Sequence, residues 1–131
     1  SMTVCELEGK SYDANVVEIE ENFNILYTDN TKRTLANGHM FLDPIGTFIG
    51  HSVTFAPGNN RADFDALWDF FKVPRREGFN VTCIDGQNRT ISYKAYTSNG
   101  ARKTSCIRNG IVYWESLQVN IIPIDAQVVP T

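Results

Sequence analysis

The chain is 131 residues long, with 42% apolar, 11% aromatic and 21% charged residues and a formal net charge of −3. That length supports one domain over residues 1–131, and eight Phe, five Tyr and two Trp supply enough burial to exclude a disordered chain. The acid excess argues against a nucleic-acid partner, because such binders need a basic field to displace counterions.

The start, Ser1-Met2-Thr3-Val4-Cys5-Glu6, has neither the basic nor the apolar region of a signal peptide. Ser1 ahead of Met2 reads as a tag-cleavage remnant. Residues Thr3 to Glu8 suit a first short strand, ending at Gly9. From Val17 to Tyr27, Val17, Ile19, Phe23, Ile25 and Tyr27 share one face with Glu21. Glu18, Glu20, Asn22, Asn24 and Leu26 form the other. That period of two predicts a half-buried strand. A turn follows at Thr28-Asp29-Asn30-Thr31. Arg33 to Leu35 and His39 to Leu42 flank Asn37-Gly38, a pair suited to positive φ. Asp43-Pro44 forces an extended or turn conformation. Thr47 to Phe55 is β-branched and aromatic, as a central strand requires.

A helix is expected over about residues 61–72. Asn60 is a good N-cap, Asp63 complements the helix dipole, and Phe64, Leu67, Trp68 and Phe71 form one apolar stripe. Pro74 stops it. Strands then read over Phe79–Ile84 and Thr90–Thr97, separated by a turn opened by Asp85-Gly86. Lys103–Ile107 and Ile111–Ile122 form a hairpin across Asn109-Gly110. Pro123 marks an exit from the last strand. Residues 125–131 read as a loosely ordered tail. The sum is a mainly β chain. The economical architecture is a β-sandwich or flattened barrel of about seven to nine short strands, with one α-helix closing a side.

The chemistry-bearing residues favour plain structural roles. Cys5, Cys83 and Cys106 are odd in number and widely spaced, so neither a disulfide framework nor a zinc site is read. Inert thiols are expected, with Cys83 a small buried hydrophobe beside Phe79 and Val81. His39 and His51 have no metal-ligand spacing and read as strand-surface polar residues. Asp65 and Asp69 share a helix face, as a solvated face would. Gly46 and Gly50 mark a bulge or a close backbone approach rather than a phosphate cradle. No catalytic site, cofactor site or metal site is expected, and no enzyme activity. An enzyme would require His39 or His51 to meet Cys83 or Cys106 in a cleft. No run reaches the ~18 apolar residues of a membrane helix, so no membrane partner is expected.

Three charge clusters stand out. Glu18, Glu20 and Glu21 are acidic; Lys72, Arg75 and Arg76, and Arg102, Lys103 and Arg108, are basic. Opposite signs on neighbouring copies would set register. The candidate interaction surface comprises Phe48, Tyr113, Trp114, Arg75, Arg76, Glu18 and Glu20.

Several motifs in order resemble a known group. Tyr12-Asp13, Val17-Glu18-Ile19 and Phe23-Asn24-Ile25-Leu26 resemble the opening of small proteins from tail regions of phages and prophages of Gram-positive bacteria. Arg33-Thr34, Gly38 and Asp43-Pro44-Ile45-Gly46-Thr47-Phe48 resemble that group's RT, G and D-x-IGTY. Asp63-Phe64-Asp65-Ala66-Leu67-Trp68 resembles its YDALY-like helix, and Pro74 its exit. Tyr96-Thr97-Ser98-Asn99-Gly100 resembles AYVTSG, and Trp114 through Pro123 resembles W-x-x-L-x-VNFI. His39 and Phe79-Asn80-Val81 depart from the pattern. The resemblance spans roughly residues 10–130 and implies a tail structural or assembly protein. Its partners would be copies of itself, other tail proteins or both. It would reside in the virion after assembly in the bacterial cytoplasm. Tail-tube and distal-tail proteins, by analogy, are β-sandwiches with one flanking helix that form rings through sheet edges. The alternative is a small ligand-binding β-domain, for example for a glycan, with a pocket lined by Trp114, Tyr93 or Tyr96.

Overall fold

The computed structural model describes residues 5–84 and 87–131. The turn expected at Asp85-Gly86 and the residues before Cys5 lie outside that description. The elements are β1 (Cys5–Leu7), β2 (Ala14–Tyr27), β3 (Lys32–Arg33), β4 (Met40–Phe41), β5 (Pro44–Pro57), α1 (Arg61–Lys72), β6 (Phe79–Ile84), β7 (Thr90–Tyr96), β8 (Gly100–Arg108) and β9 (Ile111–Pro123). The chain is mainly β with one helix, as the patterning predicts. The strands are not uniformly short. β2 and β5 have 14 residues each and β9 has 13.

The main sheet is antiparallel and runs β1-β6-β7-β9-β5-β2, with β8 also on β9. β9 joins its two parts. Its Leu117–Ile121 segment pairs with Phe55–His51 of β5, while its Ile111–Val119 length carries β8 on the other side. Its last residues, Ile122 and Pro123, pair instead with Tyr96 and Ala95 of β7. The sheet therefore curls into a half-barrel. β3 and β4 form a separate small hairpin. Asn109 and Gly110 take φ of 53° and 76°, which makes the tight β8–β9 turn.

The helix starts where its caps place it. Asn60 accepts from the Ala62 amide at 3.0 Å. Asp63 accepts from the Asp13 amide and Asp13 from the Asn60 amide, both at 2.8 Å. These reciprocal carboxylate contacts tie the start of β2 to the start of α1. At the other end Val73 is extended, and Pro74 prevents continuation. Phe64, Leu67 and Phe71 are buried with Val53, Phe55, Leu117, Val119 and Ile121 in one core. Phe70 meets Phe79 edge-on, with centroids 5.1 Å apart. Arg102 of β8 is held between Trp68 of α1 and Trp114 of β9, at 4.4 and 3.9 Å from the ring centroids, and reaches Asp65 at 3.2 Å. Helix and hairpin are thus clamped together by a stacked, paired guanidinium.

Three expectations need correction. Cys5 and Cys83 are disulfide-bonded, facing one another across β1 and β6 with Cα atoms 4.3 Å apart. Both are buried, as predicted for Cys83, but they are not free thiols. Their separation of 78 residues hides the strand register that joins them. His51 is a core residue, 1% exposed, rather than a surface one. β2 is not half-buried along its length. A bulge between Val16 and Glu18 resets its alternation, and everything beyond Val16 is exposed. The tail is held on β5, since Thr47 accepts from the Gln127 amide at 2.9 Å and donates its own amide to Val128 at 2.9 Å. Gly46 is the close approach the sequence suggests: a Cβ there would lie 2.7 Å from Ala126 Cβ.

If α1 is the cover of this core, Phe64→Ala should cost about 3–5 kcal/mol in urea denaturation. A loss near zero would contradict the docking.

Candidate functional site

β2 is hydrogen-bonded to β5 on one side and, among the described residues, presents the other as an open edge of 14 residues. Register fixes what each face carries, because directly paired residues share a face. On the core side Ile19 lies opposite Val53, Glu21 opposite His51, Phe23 opposite Ile49 and Ile25 opposite Thr47. The core ends near His51. Beyond it Phe23 is 67% exposed and Ile25 44%. On the reverse side Glu18, Glu20, Asn22 and Asn24 pair with Thr54, Ser52, Gly50 and Phe48. Thr54 and Ser52 pair in turn with Gln118 and Asn120, and Gln118 with Ala101. A continuous polar face therefore crosses four strands from β2 to β8.

β8 is the opposite edge of those four strands and, among the described residues, is bonded to β9 alone. Its cations are not equivalent. Arg102 turns inward to the two tryptophans. Lys103 stays exposed, 3.4 Å from Glu115, and the Arg108 guanidinium lies 5.6 Å from the Tyr113 ring centroid.

The predicted surface residues fall in three places. Glu18, Glu20 and Phe48 share the polar face on β2 and β5, with both glutamates exposed and Phe48 half-buried. Tyr113 and Trp114 lie on the β8–β9 hairpin. Tyr113 is exposed, and Trp114 is half-buried against the core and stacked on Arg102. Arg75 and Arg76 follow α1. Arg75 donates to the carbonyls of Phe70 and Val73 at 2.7 and 2.9 Å and stacks on Phe70, capping the helix end; Arg76 is exposed.

Sequence reasoning missed one polar cluster built around the buried His51. His51 Nδ1 lies 2.6 Å from the Tyr93 hydroxyl, and His51 Nε2 lies 3.4 Å from Glu21. The residues come from β5, β7 and β2, so only the sheet order brings them together. Burial, and secondarily the charge of Glu21, pushes the Tyr93 hydroxyl above its ordinary value. No Cys–His pair forms in this arrangement. Cys83 is bonded to Cys5, His51 faces Tyr93 and Glu21, and His39 is exposed. Among the described residues no three His, Cys, Asp or Glu side chains are grouped to hold a metal ion, and no helix is long and apolar enough to cross a membrane.

No protein-family model matches the chain, and no curated protein matches it. Solved structures do. The chain resembles a subunit from the tail of an empty GTA particle of C6 symmetry, with TM-score 0.56 and 15% identity over 91% of this chain and 84% of that one. It also resembles the SPP1 Dit protein, described as a hub adsorption apparatus in Gram-positive-infecting phages. There the TM-score is 0.49 and the identity 14%, over 93% of this chain and about half (49%) of that one. At these identities the likeness is one of fold.

The Tyr93 shift has a sign. The folded protein holds that proton more tightly than the unfolded chain does, so stability falls as pH rises through the unfolded tyrosine value of about 10. Urea denaturation should show a steeper loss above about pH 10 in the parent protein than in Tyr93→Phe. Parallel slopes would contradict the assignment.

Proposed function

We propose that this chain is a structural component of a phage or prophage tail. It acts by joining copies of itself edge to edge, and it is not an enzyme. One observation carries the reading: the same four-stranded sheet ends in two open edges that are complementary in direction and charge. From β2 through β5 and β9 to β8, neighbours alternate antiparallel. A second copy's β2 laid beside β8 continues that alternation. β2 brings Glu18 and Glu20, and β8 brings Lys103 and Arg108. This is a heterologous contact, which closes into a ring when the rotation between copies closes. The fold likeness to a sixfold tail supports the reading. In the assembled tail the polar sheet face would line one surface. The exposed apolar end of β2, with Phe23 and Ile25, would be covered by neighbouring tail subunits.

The ligand-binding alternative is less well supported. Of its three aromatic candidates, Tyr93 is committed to His51 and Trp114 to Arg102.

Sedimentation velocity at rising protein concentration is the test. The parent protein should associate. Glu18→Lys with Glu20→Lys should weaken association about tenfold, and mixing with a Lys103→Glu, Arg108→Glu copy should restore it. A chain that stays monomeric at every concentration, alone and with other tail proteins, would sink the proposal.

A further inference from the structure

A groove of about 600 Å³ lies at the end of the molecule away from the β8–β9 turn. The end of α1 and its exit loop form one wall, and the β7–β8 connection forms the other. Phe71, Leu117 and Val119 lie at its base, and Trp68 and Tyr96 flank it. Lys72, Arg75 and Arg76 also line it, and no aspartate or glutamate does. That asymmetry is notable in a chain with 15 acidic and 12 basic residues.

The cations are unevenly engaged. Lys72 pairs with Asp69 at 2.9 Å across an exposed helix turn, which is a weak contact in water. Arg75 spends its hydrogen bonds on backbone carbonyls, so its charge has no carboxylate partner among the described residues. Arg76 is exposed and makes no ion pair among the described residues. Both walls are fixed before anything binds. The Asn120 side chain accepts from the Ser98 and Asn99 amides at 3.2 and 3.3 Å. Gly78 takes φ of +73°, and a Cβ there would lie within 2.5 Å of Ile124 Cδ1 and collide with the Ala95 carbonyl. A preformed apolar slot whose rim carries two arginines with no carboxylate partner among the described residues favours one kind of occupant: an extended chain bearing carboxylates and a large apolar side chain.

We propose that this groove binds an acidic peptide segment of a partner protein. A leucine or phenylalanine would seat on Leu117 and Val119, with flanking carboxylates at Arg75 and Arg76. The acidic run of this chain itself does not serve, because Glu18–Glu21 is hydrogen-bonded into the sheet beside β5. The groove lies apart from the β2 edge, and the proposal does not depend on the tail reading.

The probe is a fluorescein-labelled synthetic nonapeptide alternating aspartate with leucine and phenylalanine, followed by fluorescence anisotropy. Binding should saturate and weaken with added salt. It should weaken about tenfold in Arg76→Glu, while Arg76→Lys should retain most of it. A peptide with serine in place of every apolar residue should bind at least about tenfold more weakly. Three results would each overturn the proposal: no binding, equal binding to Arg76→Glu, or equal binding of the serine peptide. Sedimentation of the Arg76→Glu protein, read separately, reports on copy-to-copy association and keeps the two proposals distinguishable.

Discussion

One short helix has to cover a long sheet, and it does not reach. At 1.5 Å per residue the twelve residues of α1 span about 18 Å, whereas the fourteen of β2 or β5 extend to about 46 Å. Under the helix the sheet is sealed: Val53, Phe55, Leu117 and Ile121 are fully buried. Past His51 no element covers the core-side face among the described residues, and Phe23 and Ile25 stand in solvent. An isolated exposed leucine needs no explanation. A 14-residue open edge continuing into exposed aromatic and β-branched side chains does.

The sealed end accounts for the rigidity of the site. The helix is too short to be stable alone, so its stripe must pack, and Arg102 between two tryptophans fixes where it packs. That clamp ties α1 to the β8–β9 hairpin and hence sets the position of the free β8 edge relative to the core. The Glu21–His51–Tyr93 cluster does a similar job at the other boundary. It links the exposed strand β2 through β5 to β7, at the point where burial ends. Both polar devices sit where the two parts of the sheet meet the helix or each other, which explains why each is tolerated inside a small protein.

Much of this was legible in the residues. Period-two alternation located the long strands, and Asn109-Gly110 placed the hairpin. Asn60, Asp63 and Pro74 bounded the helix, because caps and breakers act within a few residues of themselves. What was not legible depends on register. The residue pattern of β2 alternates along its length, but a bulge at Val17 shifts the faces and the limited reach of α1 decides which part is buried. Neither leaves a local signal. Cys5 and Cys83 look like unrelated thiols until β1 is placed beside β6. His51 looks like one polar residue in an apolar strand until Tyr93 and Glu21 arrive from distant segments. The acidic and basic clusters were visible, but the inward turn of Arg102 was not, because it needs Trp68 and Trp114 to converge.

We propose that β2 is an open edge that pairs with a neighbouring copy. Amide hydrogen exchange along β2 tests it most directly, compared between dilute and concentrated protein. The outward-facing amides between Glu18 and Tyr27 should exchange rapidly when dilute and become protected on association, together with those of β8. Amides of β2 that are already protected in dilute monomer, or that stay unprotected in every assembled form, would contradict the account.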